Sequence, residues 1–398
     1  MANPPPYAIL SHTWWALPDD HVAFDTDKLR GQGEVLFADM QNNTAREKLS
    51  YPKVLATCML AKAQGYDWVW IDTCCIDKSS SAELSEAINS MFTYYQDSAN
   101  CYVYLDIEIP SGNMSADRLR QARWISRGWQ VFTLFTFRRD SMLTRNVRTL
   151  QELIAPRHVE FYDKNWIPQG TRAQYAEVLA DVTNIKIGHL KAWSGGWGRR
   201  ELDQYSIADR MSWVGDRQTA RPEDIAYCLF GIFDVHLPPL YGEGAKKAFR
   251  RLQEEIMKTS TDLSLLAWSG PSFLHLSVLA ESPRRFKGTK SIMFHDYVEE
   301  VEPFKMTNKG LRVKIPLIME DEEEATCTAV LQNCYITDQH IRVGVRLKRA
   351  WMSKRPAEEG HSVWNRKSGS RSEALDVYSV DEEGLKRAKI YKIYLAIE

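Results

Sequence analysis

The sequence predicts an α/β protein: a parallel sheet with covering helices over residues 1–165, a helical segment over 166–260, and a β-rich region over 261–398. Three observations carry this expectation. Short β-prone runs alternate with amphipathic stretches through the first part. The middle is dense in Ala, Leu, Glu, Lys and Arg, and short β-like runs take over from Leu263. At 398 residues the chain is long enough for two or three domains with substantial cores.

Ala8–Ser11 reads as the first strand, and Lys53–Lys62 as an amphipathic helix leading to Gly65. Trp68 to Asp72 is aromatic and β-branched, and so predicts a buried second strand. The serine run 79–81 predicts a helix start with Ser81 as N-cap and Glu83 or Glu86 favourable in the first turn. Leu84, Ile88, Met91, Phe92 and Tyr95 recur at three- and four-residue spacing, which predicts a helix over Leu84–Tyr95. Tyr102–Leu105 and Val159–Tyr162 supply the third and fourth strands. Such alternation implies parallel pairing through right-handed crossovers. Asp224, Tyr227, Leu229 and Phe230 suggest a buried helix ending near Gly231, and Glu243–Lys258 places Ala245, Phe249, Leu252 and Ile256 on one helical face. Further on, Arg312–Ile318, Thr328–Leu331 and Ile341–Leu347 read as strands, Glu320–Glu324 as a solvated acidic loop, and Ser353–Ser372 as a polar, mobile stretch.

Composition narrows the function classes. Lys plus Arg is 51 and Asp plus Glu is 52, a formal charge of −1, so nothing in the balance points to nucleic acid or an anionic membrane as partner. Apolar runs such as Tyr227–Phe233 fall far short of the ~20 residues that span a bilayer, and Met1–Pro6 is unlike a signal peptide. Seven cysteines at irregular spacing do not form a disulfide framework. Cys327 and Cys334 lack zinc-site spacing and no histidine pair accompanies them, so no metal or bound cofactor is expected. Reduced thiols fit a cytoplasmic protein. The segment Ser194-Gly195-Gly196-Trp197-Gly198 lacks the following Lys-Ser or Lys-Thr of a phosphate-binding loop.

The richest segment is Tyr66–Lys78, where Asp72, Cys74, Cys75 and Asp77 crowd the carboxyl end of the second strand. In open parallel sheets ligands bind outside that end. The plainer reading is that the aspartates cap loops and the cysteines fill space. This segment, through its Trp70-Ile71-Asp72 and Cys75-Ile76-Asp77, resembles the signature block of the fungal heterokaryon-incompatibility (HET) domain. Tyr7–Trp14 is similar to the family's opening strand, and Arg127-Gly128-Trp129 with Thr149–Pro156 to its third block. Arg210–Trp213, Glu223–Cys228 and Tyr241–Gly244 resemble more loosely the segment that often follows the domain. The resemblance implies a flavodoxin-like fold distantly related to the TIR domain.

It also implies a role: a cytoplasmic effector of non-self recognition in vegetative incompatibility that triggers programmed cell death, akin to innate immunity. In plant TIR domains a Ser-x-Trp-Cys-x-x-Glu-Leu pattern carries the glutamate that cleaves NAD. With Gln130–Arg148 set aside, this chain runs Arg123-Trp124-Ile125-Ser126-Arg127-Gly128-Trp129 into Thr149-Leu150-Gln151-Glu152-Leu153, so Glu152 holds the matching position. Cleaving the nicotinamide–ribose bond calls for a carboxylate beside an oxocarbenium-like ribose. Ser11, His12, Asp72 and Trp129 are candidates to line the site, with NAD as substrate and not as cofactor. Trp14, Trp70, Cys75, Asp77, Arg127 and Gly128 read as structural members of the motif, as does Trp124 in packing. A helix-surface role for Glu152, and loop hydrogen bonding for His12, remain open alternatives. So does a non-enzymatic module that self-associates, or joins other HET- or TIR-like proteins, and recruits a separate killer.

The 19 residues Gln130–Arg148 depart from the family pattern, which runs from Arg-Gly-Trp directly into Thr-Leu-Gln-Glu-Leu. Val131–Phe137 is a β-prone run, and the codons permitted by Val131, Met142–Thr144 and Val147-Arg148 accommodate intron signals. A retained intron translated in frame and a genuine surface loop both fit. Closure entropy grows slowly with loop length, so either is tolerable.

Overall fold

Tyr7–His12 (β1) is flanked by Trp68–Trp70 (β2) on one side and Asn100–Tyr104 (β3) on the other, both parallel to it. Val159–Tyr162 (β4) adds in parallel to β3, and Pro168–Thr171 (β5) turns back antiparallel on β4. The resulting order, β2-β1-β3-β4-β5, is that of flavodoxin-like sheets, with an antiparallel edge in place of a fifth parallel strand. The structure is a computed structural model. It describes residues 4–14, 33–110, 114–126, 149–191, 199–215, 217, 219, 221–269, 277–289, 292–295, 301–321, 326–336, 341–349, 363–366 and 377–396. The four expected parallel strands are all present, each within two residues of its expected bounds at either end. The exception to the middle segment's helical character is β5, which pairs directly with β4.

The crossovers explain the two faces. Tyr51–Ala63 (α1) connects β1 to β2 and covers one face, where Ala8 and Leu10 pack with Val54, Ala61 and Tyr102. The chain then passes through one helical turn, Asp72–Cys75 (α2), and a longer helix, Ser81–Gln96 (α3). Ser80, one residue before the expected cap, accepts from the Glu83 N–H at 3.3 Å. Ala87, Ile88, Met91, Phe92 and Tyr95 form the buried face of α3. Arg123–Ser126 (α4) and Thr149–Ile154 (α5) follow β3. Trp124 is fully buried, edge-on to Phe161 of β4 at 5.8 Å. The stretch 127–148, which holds Arg127, Gly128, Trp129 and the extra 19 residues, lies outside the described residues.

The chain divides into two compact units, residues 1–198 with 216–241, and residues 199–215 with 242–398. The helical stretch expected over 166–260 therefore contributes to both. In the second unit Ala245–Thr259 (α6) buries Phe249, Leu252 and Ile256 along one face. Then come Ile292–Phe294 (β6), Lys305–Thr307 (β7), Gly310–Asp321 (β8), Thr326–Ile336 (β9), Ile341–Arg349 (β10), Val363–Arg366 (β11), Val377–Val380 (β12), Glu382–Arg387 (α7) and Lys389–Leu395 (β13). Pairings β8–β9, β9–β10, β10–β11, β11–β13 and β13–β8 close a five-stranded ring. Leu311, Val313, Ile315, Leu317, Ala329, Val345, Ile393 and Leu395 are buried at alternate positions along its strands, and fill it as a core. Two expectations change here. Glu320 and Asp321 end β8, where Glu320 pairs with Arg346 at 3.2 Å. Within 353–372, Val363–Arg366 is a strand whose Trp364 is 1% exposed, because that ring completes the core.

Candidate functional site

Alternation along β1 sends Ser11 and His12 to opposite faces of the sheet. On the α3 face, the buried Trp124 Nε1–H donates to Ser11 Oγ at 2.6 Å, and the Ser11 hydroxyl donates to Glu152 Oε2. The three residues come from α4, β1 and α5, so one serine at a strand end ties together two helices far apart in sequence. The Glu152 carbonyl lies 4.0 Å from the buried Cys101 thiol, and the neighbouring Gln151 amide donates to the Cys228 carbonyl. Together these contacts hold the first turn of α5 in place. Glu152 and Gln151 also line a narrow crevice, with room for about one water, together with Ile88, Met91, Tyr227 and Cys228. A carboxylate oriented by a buried hydroxyl and partly exposed at such a crevice can face a developing positive charge.

The opposite face holds a second cluster. His12 Nε2 lies 3.2 Å from Asp72 Oδ1, and Trp14 Nε1–H donates to Asp72 Oδ2 at 3.1 Å. The Lys78 ammonium sits 3.8 Å from Asp72 and 3.5 Å from the centre of the Trp14 ring. Burial alone would raise the Asp72 pKa. The charge of Lys78 and the hydrogen bonds from His12 and Trp14 outweigh it, and hold the carboxyl well below the usual carboxylate range. The His12 side chain is 1% exposed, and its Nδ1 has no partner among the described residues. Beside this cluster Lys53 reaches the Thr13 carbonyl at 3.2 Å and Glu34 at 3.3 Å. Asp72 thus begins a short helix rather than ending a strand, and serves as the hub for three side chains, His12, Trp14 and Lys78.

The remaining motif residues sort by contact. Asp77 accepts from the backbone N–H and hydroxyl of Ser79 at 2.9 and 2.6 Å, while its own N–H donates to Glu83 at 2.7 Å, so it shapes the loop into α3. Trp70 packs on Tyr94 and Tyr95. Burial pushes the Cys74 thiol up to about 12, and partial desolvation also raises that of the more exposed Cys75. Neither is a ready nucleophile. The structure therefore joins Ser11 to Glu152 and His12 to Asp72, and separates the two pairs by the sheet itself. Trp124, read from sequence chiefly as a packing residue, proves to be a polar partner of Ser11. Lys78 was overlooked, although a lysine six residues after a buried aspartate was the available signal.

Comparisons with known proteins agree with the motif reading. Residues 7–128 match the family described as Heterokaryon incompatibility protein (HET), and residues 247–297 match a Domain of unknown function (DUF8212). Vegetative incompatibility protein HET-E-1 of Podospora anserina is 40% identical over 273 residues, which cover 67% of this chain and 17% of that protein. The chain thus matches only a small part of the length of this relative. No solved structure matches the chain. With its opening strand and its Trp-Ile-Asp-x-x-Cys-Ile-Asp block inside the matched region, this chain carries a HET domain over residues 7–128.

Proposed function

We propose that this chain acts in vegetative incompatibility, as a cytoplasmic effector of non-self recognition whose HET domain triggers cell death by cleaving NAD. The observation that carries the enzymatic part is the Glu152 carboxylate, held by Ser11 at the carboxyl end of β1 and open to a crevice. The flavodoxin-like strand order supports a distant TIR relation. In the reaction the bond between ribose C1′ and the nicotinamide nitrogen breaks, with its electron pair leaving on nicotinamide. Water adds to C1′ and gives up a proton, so that NAD and water become nicotinamide, ADP-ribose and a proton. Glu152 would stabilise the oxocarbenium-like ribose, as carboxylates do in glycoside hydrolysis. Asp72 and its partners would support the strand end from the other face.

A second reading is supported by a different surface. Leu55 and Met59 on α1 and Trp68 on the edge strand β2 are 44%, 65% and 61% exposed. Apolar side chains beside a sheet edge favour assembly with like domains, and a module of that kind would recruit a separate killer. NAD loss in the presence of purified protein, compared for wild type and Glu152→Gln, decides between the two. The enzyme reading expects turnover in the wild type and a loss on the order of 100-fold or more in the variant. Cell killing that persists in Glu152→Gln with NAD unchanged would leave the module reading.

A further inference from the structure

On the second unit, the outward positions of three adjacent strands carry cations that face one another. In β8 the outward residues are Arg312, Lys314 and Pro316, since Leu311, Val313, Ile315 and Leu317 point into the core. Lys392 of β13 lies directly opposite Lys314, and Lys305 of β7 directly opposite Arg312. Tyr394 stands opposite Arg312 on the other side, with the Lys309 ammonium 5.7 Å from the centre of its ring. Like charges placed directly opposite destabilise a sheet. Here two such pairs sit side by side, and among the described residues the neutralising charge is scant. Glu302 pairs with Lys314 at 3.1 Å and has its own carboxyl lowered chiefly by that contact, with Lys392 and Arg312 adding to the effect. Among the described residues, none of Lys305, Lys309, Arg312 and Lys392 forms an ion pair. The formal charge of −1 over the whole chain conceals this local segregation.

We propose that the outward face of β7, β8 and β13 binds single-stranded nucleic acid. The sheet fixes its cations on a grid, ~4.8 Å apart across strands and ~6.8 Å apart along them. A phosphate backbone crossing that grid would relieve the repulsion the sheet otherwise bears. Tyr394 adds an aromatic ring on which a base can stack. The outer face of such a sheet suits a single strand whose bases splay onto it better than a duplex whose bases stay stacked.

The test uses the full chain and a fluorescein-labelled oligouridylate, followed by fluorescence anisotropy across a salt series. Binding is expected at low salt, with log K falling by about 0.7 per neutralised phosphate against log salt. The double variant Lys305→Glu/Lys392→Glu replaces both like-charged pairs by opposite ones. It should lower affinity at least tenfold while its melting temperature holds or rises, so that lost binding cannot be ascribed to misfolding. Lys305→Gln/Lys392→Gln, which removes charge without adding any, should fall between the two. Binding unchanged by either variant, or absent at low salt, overturns the proposal. So does a preference for phosphatidylserine vesicles over the oligonucleotide, which would assign the face, with its exposed Ile390, to a membrane surface.

Discussion

Ser11 and His12 are consecutive in β1, yet the Ser11 hydroxyl lies against Glu152 and the His12 ring against Asp72, on opposite faces of the sheet. The strand end is thus a partition between two polar clusters, each built from helices that follow a different strand. Substitutions on one side should leave the other largely intact, because the clusters share no side chain.

Ser11→Ala tests the first side. It removes the acceptor of the buried Trp124 N–H and the donor to Glu152. An orphaned buried donor typically costs about 1–3 kcal/mol. Urea unfolding should show that loss with an unchanged slope, and NAD turnover, where present, should fall as Glu152 loses its anchor. An unaltered midpoint would mean that the relay contributes nothing to the fold.

Asp72→Asn tests the other side. Lys78 and His12 would lose the buried counter-charge that now faces them, a loss on the order of 3 kcal/mol for a broken buried pair. The pH dependence has a definite sign. The folded-state pKa of Asp72 is depressed, so its contribution is fully present above the unfolded value of about 3.9 and is lost as pH falls through the folded one. The stability gap between wild type and variant should therefore be constant near neutrality and shrink only below about pH 4. A gap that closed between pH 6 and 7 would point to a histidine instead. If the variant were fully stable yet lost all turnover, Asp72 would belong to the chemistry.

Much of this was legible in the sequence, and what was missed has a common cause. The four parallel strands were visible because short β-branched and aromatic runs are local signals, and Val159–Tyr162 is found as expected. Helix α3 was visible through the spacing of its buried face. The one-turn helix at Asp72 was not, since four residues carry no period. The split between Ser11 and His12 follows from strand alternation alone and was open to view. By contrast, closure of the five-stranded ring and the Trp124–Ser11 bond depend on pairings between distant segments, for which local pattern provides no register. The basic face was hidden for the same reason: Lys305, Lys314 and Lys392 become neighbours only when the register is known.

Gly231→Ala probes the packing behind the crevice. An added Cβ at this position would run into the side chain of Phe92, which is 3% exposed on α3. Overpacking a filled core typically costs about 1–3 kcal/mol. Thermal unfolding should register that loss, and the double variant Gly231→Ala/Phe92→Gly, which takes away the Cβ that the new methyl would meet, should lose less than the sum of its two single substitutions. Strict additivity would show that the two residues do not touch.

Deleting Gln130–Arg148 bears on both the origin of that segment and the site. Trp124 and Glu152 both hydrogen-bond Ser11, so their side chains already meet without help from the intervening chain. After deletion three residues, 127–129, still separate the end of α4 from the start of α5. At roughly 3.3 Å per extended residue, the four steps from Ser126 to Thr149 reach about 13 Å, enough for a short turn between two helices whose side chains meet at Ser11. The shortened protein should therefore fold, melt higher than the full chain because a long closure is removed, and kill cells more readily. Growth inhibition and melting temperature can be compared in one experiment, and transcript sequencing provides an independent check on the intron reading. Unfolding of the shortened protein would identify the segment as a native element of the domain.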